Sequence, residues 1–175
     1  LALSRAEFFA TPLGDVPVDH DVDANLIELP YINFVDQAHS HEHSLEVQLP
    51  FLQETLTDFK IVPIVAGNAS PQQVAEVLDR LWGGAETLVV ISSDLSHYQS
   101  YTVAKQLDQM TSDNIERLKV EAIDAESACG RTPICGLLAL LREKGMRIRA
   151  VDVRNSGDTA GDKQRVVGYG AYVVE

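Results

Sequence analysis

Residues 70–98, SPQQVAEVLDRLWGGAETLVVISSDLSHY, contain a helix pattern followed directly by a strand pattern. Ser70 is a typical helix N-cap, and Pro71 suits the first helical position because its missing N–H needs no partner there. Gly83 and Gly84 end the predicted helix. The apolar residues with helical spacing predict one buried face: Val74, Val77, Leu78 and Leu81.

The segment TLVVISSD (87–94) is almost continuously apolar, which predicts a central strand that is covered on both faces. Strand and helix patterns alternate in the rest of the chain. They include a strand in LALS (1–4), a turn or hairpin in TPLGDVPVD (11–19) and two strands in residues 147–157 and 165–175. This alternation predicts an α/β sandwich with a mostly parallel or mixed central sheet, formed as a single domain over residues 1–175.

Composition excludes several partner classes. The chain has 14 Lys and Arg against 26 Asp and Glu, a formal net charge of −12, and it has no basic run. Nucleic acids and anionic membranes are therefore not expected as partners. No membrane span or signal peptide is visible, and two cysteines in 175 residues fit a reducing compartment, so we expect a cytoplasmic protein.

Polar residues follow three of the predicted strands. Asp94 and His97 follow TLVVISS (87–93), Asn68 follows IVPIVAG, and Arg154 and Asn155 follow the strand that begins near residue 147. In a parallel sheet these residues meet at the edge where ligands bind. Asp94 beside His97 fixes the imidazole tautomer and raises its basicity, which suits an acid–base pair. The alternatives are a helix N-cap for the aspartate and an ordinary structural histidine.

The segment AHSHEHS places His39, His41 and His43 two residues apart, on one face if the chain is extended. For His39 and His41 a solvated, histidine-rich loop is an equal alternative. His43 stands at the start of a predicted amphipathic helix, where we expect it to be held rigidly near the core as a metal ligand. Glu42 either orients this imidazole or favours the helix N-terminus.

Cys129 precedes Gly130 and a predicted helix N-terminus, a position that favours the thiolate, the form that binds metals. The alternative is a small buried hydrophobic residue. Cys135 lies within the apolar helix ICGLLALL, so we expect it in the core.

Five segments together resemble the Memo family, known in prokaryotes as AmmeMemoRadiSam system protein B. They are EHSLEVQLPFLQ (42–53), IVPIVAG (61–67), ISSDLSHY (91–98), CGRTPICGLLAL (129–140) and RNSGDTAGDKQRVVGYGAYVV (154–174). Memo proteins are similar in structure to the LigB-type class III extradiol dioxygenases, which open catechol rings with non-haem iron(II). The resemblance implies a LigB-like, three-layer α/β sandwich.

The family's metal-site histidine corresponds to His43, its aspartate and second histidine to Asp94 and His97, and its cysteine to Cys129. The resemblance therefore implies that His43 and Cys129 are metal ligands and that His97, beside Asp94, is catalytic. It implies a redox or dioxygenase-like site with iron(II) or copper, for a substrate that the sequence does not identify. A thiolate is softer than the third carboxylate ligand of the dioxygenases, which favours copper(I), zinc or an altered iron site.

Family members also have an upstream region with PHAGY-like and GPSH-like segments, and the histidine of the latter is another metal ligand. Neither segment occurs here, so we expect the chain to lack its N-terminal third and to bind metal weakly or not at all. Two other functions stay open: a module that binds a peptide or small ligand beside a vestigial metal site, with Arg131 and Arg154 available for an anion, and a zinc-dependent hydrolase. A homo-oligomer is also open.

Overall fold

The computed structural model describes residues 1–159 and 161–175. The chain divides into two compact units, Leu1–Ala69 and Ser70–Glu175. Helices and strands both occur in each unit, so the predicted mixed α/β class is confirmed. The layers of a sandwich are not seen, because the strands form small separate sheets. The single-domain organisation stays a prediction.

Four short strands form two sheets in the first unit. Strand β1 (Ala2–Leu3) pairs in parallel with β4 (Asn33–Phe34), and β2 (Phe8–Thr11) pairs antiparallel with β3 (Gly14–Pro17). The second pair is the hairpin predicted from the proline and glycine pattern. Its turn requires Gly14, whose φ of 124° is unfavourable for residues with a side chain.

The helices of the first unit are short: α1 (Asp23–Leu26), α2 (Asp36–His39) and α3 (Leu49–Thr55). Pro50 lies in the first turn of α3, where proline needs no N–H partner. The amphipathic helix that was expected to begin near Ser44 therefore begins at Leu49, and residues 44–48 form turns.

The second unit contains the three longer helices, α4 (Pro71–Leu81), α5 (Tyr101–Glu116) and α6 (Arg131–Lys144). Helix α4 matches its prediction, and Ser70 and Gln73 form a capping box at its start. Among the described residues, no helix combines the length and apolar character that a membrane crossing requires. The buried residues of α4 are Val74, Ala75, Val77 and Leu78.

Helices α4 and α6 pack closely because α6 carries a glycine at their contact. A Cβ built on Gly136 lies 2.2 Å from a methyl carbon of Val74, so no larger residue fits there without a shift. Helix α6 ends at Gly145, which has the left-handed φ of 66° that is typical of a helix C-cap glycine. The apolar core of this unit lies around α6 and comprises Ile115, Ile123, Cys135, Leu138, Leu141 and Ile148.

The sheet of the second unit is antiparallel. Strand β7 (Val166–Val174) lies between β5 (His97–Gln99) and β6 (Ile148–Asn155), and both pairings are antiparallel. The prediction of a mostly parallel or mixed sheet is wrong for these strands. A parallel pair needs a long crossover, whereas the connection from Asn155 to Val166 is short enough only for a reversal of direction.

The segment 87–94, predicted as a central strand, is not a strand in the structure. Leu88 is 62% exposed and Val90 is 45% exposed. Only the residues that follow it reach the sheet: the Leu95 N–H donates to the Gly168 carbonyl, and the Gly168 N–H donates to the Ser96 carbonyl, both over 2.8 Å. The apolar pattern identified a segment suited to a covered strand, but pairing depends on partners distant in sequence.

Candidate metal centre

Asp94, His97 and Cys129 form one cluster in the second unit. One ligand atom from each residue, a carboxylate oxygen, an imidazole nitrogen and the thiol sulfur, lies within 4.8 Å of the other two. Asp94 ends the 87–94 segment, His97 is the first residue of β5, and Cys129 directly precedes the N-cap of α6. Two segments of the chain, separated by 35 positions between Asp94 and Cys129, thus bring three metal-binding side chains together.

The Asp94 and His97 side chains face each other. The carboxylate Oδ2 lies 3.5 Å from the imidazole Nε2, and both side chains are partly exposed. Both are thus open to an incoming ion or substrate. This distance is too long for a strong hydrogen bond, so each group has lone pairs available for another partner.

The Cys129 sulfur also contacts the backbone of this segment. The Asp94 N–H donates to Sγ over 3.3 Å, and the hydroxyl of Ser93 lies 3.7 Å from Sγ. The Asp94 N–H is thus directed at the thiol sulfur. Cys129 is exposed, which excludes the alternative of a small buried hydrophobic residue.

Cys135, by contrast, is buried in the core, where it was predicted. Burial raises the pKa of its thiol above the usual value. The two cysteines therefore differ in access, and burial disfavours the thiolate form of Cys135.

Ser93 links the two segments of the cluster, a role that sequence analysis missed. Its hydroxyl accepts the Gly130 N–H over 2.8 Å and donates to the Asp94 carbonyl over 2.7 Å. A Cβ built on Gly130 lies 2.6 Å from the Ser93 Cβ and 2.9 Å from the Ser92 carbonyl oxygen. The close approach of residues 92–94 to the start of α6 therefore requires glycine at position 130.

The backbone is strained immediately after His97. Tyr98 has a left-handed φ of 59°, which costs a non-glycine residue about 1 kcal/mol. The register of β5 on β7 also shifts between His97 and Gln99. The Tyr98 ring packs edge-on to the His97 imidazole, with ring centroids 5.7 Å apart. The Arg165 guanidinium lies over the Tyr98 ring, 5.1 Å from its centroid. The bulge and these contacts set the direction of His97.

His43 lies in the first unit, and its environment differs from the prediction. Its side chain is 76% exposed rather than held near the core, because the helix begins only at Leu49 and residues 44–48 form turns. Its Nδ1 lies 2.6 Å from Glu46 Oε1. A proton on Nδ1, donated to Glu46, leaves Nε2 as the nitrogen that a metal would take. The role of His43 as a metal ligand stays a prediction.

Glu42 does not orient the His43 ring. Its Oε1 accepts the backbone N–H groups of His43 and Ser44, over 2.9 and 2.8 Å, and these hydrogen bonds lower its pKa. Glu42 thus stabilises the turn, and Glu46 contacts the imidazole instead. Glu46 lies three residues after His43, the spacing at which side chains on one helical face meet, and this spacing is the signal that identifies the pair.

His39 and His41 do not share an extended face with His43, because α2 includes His39. His39 Nε2 lies 3.1 Å from the Ala2 carbonyl oxygen, and its ring packs edge-on to Phe9. His39 is therefore a structural residue of the first unit rather than part of a solvated loop. His41 is exposed.

Arg154 and Asn155, which were predicted at a common sheet edge with Asp94 and His97, are used in other ways. Asn155 is buried, and its side-chain oxygen accepts the Gly157 N–H over 3.0 Å, which caps a 3-10 helix. Arg154 forms an ion pair with Asp152. The antiparallel sheet removes the geometric basis of the common edge.

A cavity of about 600 Å³ lies next to the cluster, within the second unit. Its walls are mostly apolar and come from the 87–95 segment, α6 and β7. Ser93 belongs both to this wall and to the contacts around Cys129. The other residues that line the cavity include Trp82, Leu88, Ile134, Leu137 and Tyr172.

Comparison with known proteins gives a consistent result. The family described as Memo-like protein matches residues 1–173. The MEMO1 family protein of Sulfolobus acidocaldarius is 38% identical over 173 residues, which cover 91% of this chain and 61% of the relative. That of Aeropyrum pernix is 39% identical over 176 residues, 92% of this chain and 62% of the relative. That of Methanosarcina mazei is 34% identical over 188 residues, 100% of this chain and 70% of the relative. The chain therefore spans between 61% and 70% of the length of these relatives.

Proposed function

The chain belongs to the Memo family, and on that premise we propose that it binds a redox-active transition metal, iron(II) or copper, through Asp94, His97 and Cys129. The observation that carries the proposal is the mutual distance of at most 4.8 Å among the three ligand atoms. The site would be a non-haem, dioxygenase-like redox site with an unidentified small-molecule or peptide substrate. The LigB-like, three-layer sandwich belongs to the same proposal, since it rests on the family likeness.

The mixed donor set supports a transition metal. Calcium and magnesium prefer oxygen ligands, whereas imidazole suits iron, copper and zinc, and thiolate suits copper(I) and zinc. A carboxylate oxygen beside an imidazole is a ligand combination that also suits iron(II). Three protein ligands leave positions for a substrate, and the bound ion would supply Lewis acidity or electron transfer there.

His97 and Asp94 have two roles in this proposal. Both would bind the ion, and a partly exposed imidazole beside a carboxylate can also accept or release a proton at Nε2. His43 is proposed as a further ligand, and the support for it is the Glu46 carboxylate at Nδ1, an arrangement common behind metal-binding histidines.

Metal analysis of the purified protein tests the proposal. The protein is dialysed without oxygen against iron(II), and separately against copper(I), at several free-metal concentrations, and its metal-to-protein ratio is measured, so that the weak binding expected without the upstream histidine is also detected. Cys129→Ala and His97→Ala should each reduce the retained metal strongly. Cys135→Ala is the matched control, because it removes the other cysteine of the sequence from a buried position outside the cluster.

Equal retention by wild type and Cys129→Ala contradicts the proposal. Stoichiometric zinc that is independent of Cys129 favours the zinc-dependent hydrolase instead. Protein that retains none of these metals but still binds a ligand favours the binding module.

A further inference from the structure

Asp108 is a carboxylate on the buried face of α5. Asp108 is only 2% exposed, and its neighbours on this face of the helix are small, hydroxylic or apolar. Burying a carboxyl group is costly unless hydrogen bonds compensate for the lost water. Such a residue therefore calls for a specific partner. The buried residues of α5 are Ala104, Asp108, Thr111, Ser112 and Ile115.

The partner of Asp108 is the backbone of the metal-centre segment. Its Oδ1 accepts the Ser96 N–H over 2.9 Å. Ser96 lies between Asp94 and His97 in sequence, and its carbonyl accepts the Gly168 N–H over 2.8 Å. The peptide groups on both sides of Ser96 are thus held, one by α5 and one by β7.

Gly168 of β7 allows this contact. A Cβ built on Gly168 lies 2.1 Å from Asp108 Oδ2 and 2.5 Å from its Cγ. A side chain at position 168 would therefore displace the carboxyl group from Ser96. The sheet, the helix and the 94–97 segment meet at this one point.

We propose that Asp108 is a positioning residue of the candidate metal centre, which holds the Ser96 amide so that Asp94 and His97 face Cys129. The inference rests on the proposed function, because it assigns Asp108 to the same site. Asp108 itself does not join the three-residue ligand cluster. It acts through the backbone between two of the ligands.

The surroundings of Asp108 are consistent with this role. Burial raises the pKa of its carboxyl group, which favours the neutral form. Within residues 1–159 and 161–175, its Oδ2 atom has no hydrogen-bond partner. Asparagine, which is neutral and has the same shape, is therefore a close substitute that keeps an oxygen for Ser96.

Three variants test the role. Asp108→Asn keeps the acceptor, Asp108→Ala removes it, and Ser112→Ala is the control, since Ser112 is equally buried on the same face of α5. The affinity for Co²⁺ is measured by its thiolate-to-metal absorption. Amide hydrogen exchange of Ser96 is measured without metal. Exchange at this single amide reports on the hydrogen bond, which a general loss of packing would not affect selectively.

Asp108→Ala should accelerate exchange at Ser96 while the core amides stay protected. It should weaken Co²⁺ binding by about 10- to 100-fold, the usual effect of losing a group that orients metal ligands. Asp108→Asn and Ser112→Ala should both stay close to wild type. If Asp108→Ala does not fold, Asp108→Leu is used instead. The two methyl groups of leucine occupy the positions of the carboxyl oxygens but cannot accept a hydrogen bond.

Two results would overturn the inference. One is a folded variant without the acceptor that has unchanged Ser96 exchange and Co²⁺ affinity. The other is a loss in Ser112→Ala as large as that in Asp108→Ala, which would indicate a general core effect. Wild-type protein that binds no Co²⁺ through Cys129 refutes the proposed function itself, whereas unimpaired binding in Asp108→Ala refutes only the role of Asp108.

Discussion

The backbone N–H of Asp94 donates a hydrogen bond to the sulfur of Cys129 over 3.3 Å. This contact joins the segment that precedes β5 to the start of α6. It brings the thiol within 4.8 Å of the Asp94 carboxylate and the His97 imidazole.

Gly130→Ala should disturb the junction directly. The new methyl group would lie 2.6 Å from the Ser93 Cβ, so residues 92–94 must move away from α6. We expect a loss of about 1–3 kcal/mol in the free energy of unfolding, the usual effect of overpacking, and a weaker affinity for Co²⁺. Urea denaturation and metal titration measure the two effects.

Gly67→Ala is the control for this prediction, because a Cβ at Gly67 has no heavy atom within 4 Å. It should leave both quantities nearly unchanged. A Gly130→Ala protein as stable as wild type, with the same affinity, would show that the close approach of Ser93 is not needed.

The two cysteines should react at different rates. Cys129 is exposed, whereas Cys135 is 4% exposed and burial raises the pKa of its thiol, so less of it is thiolate. Iodoacetamide should therefore modify Cys129 of the folded protein much faster, as mass spectrometry of the peptides can show. In denaturant the two rates should converge. Faster modification of Cys135 in the folded protein would contradict the structure of α6.

His43→Ala tests the proposed additional ligand. If His43 binds the ion through Nε2, the variant should weaken metal binding, and Glu46→Gln should weaken it less, because the amide keeps an oxygen for Nδ1. His41→Ala, which removes another exposed imidazole from the same segment, is the control. Unchanged metal affinity in His43→Ala would remove His43 from the site.

The pH dependence of stability should include a contribution from His20. Its Nδ1 lies 2.7 Å from Asp23 Oδ2, and this hydrogen bond, followed by one to the Ala6 carbonyl, raises the pKa of the imidazole above its usual value of 6.5. A raised pKa means that the folded protein binds this proton more tightly than the unfolded chain. The stabilisation is thus complete below pH 6.5 and disappears as the pH rises through the folded-state pKa.

His20→Gln removes this titration. The difference in unfolding free energy between wild type and variant should therefore shrink from acidic to mildly alkaline pH, measured by urea denaturation at several pH values. A difference that stays constant or grows with pH would contradict the assignment.

Local signals in the sequence predicted much of the fold. The helix 71–81 was predicted because Ser70, Pro71 and the glycines after it act within one turn of the helix ends. The β2–β3 hairpin was predicted because the prolines and the glycine of residues 11–19 act within the turn itself. The prediction of a strand at residues 87–94 was wrong, because strand pairing depends on residues that are distant in sequence. The antiparallel order of β5, β7 and β6 depends equally on the path of the connections.

The site was predicted residue by residue, but not its arrangement. Sequence motifs selected Asp94, His97 and Cys129 one at a time, and their mutual distances follow only from the packing of α6 against the 92–94 segment. The sequence motifs do not single out Asp108, because an aspartate in a helix rich in charged residues is usually on the solvated face. Its spacing from Ala104 and Thr111 places it on the apolar face, and that spacing is the signal that identifies it.

X-ray absorption spectroscopy of the iron- or copper-loaded protein tests the central claim most directly, because it counts the sulfur atoms bound to the ion. We predict one sulfur ligand together with nitrogen and oxygen ligands, and loss of the sulfur in Cys129→Ala but not in Cys135→Ala. A bound metal without sulfur in the wild-type protein, or a sulfur ligand that persists in Cys129→Ala, would contradict a metal centre formed by Asp94, His97 and Cys129.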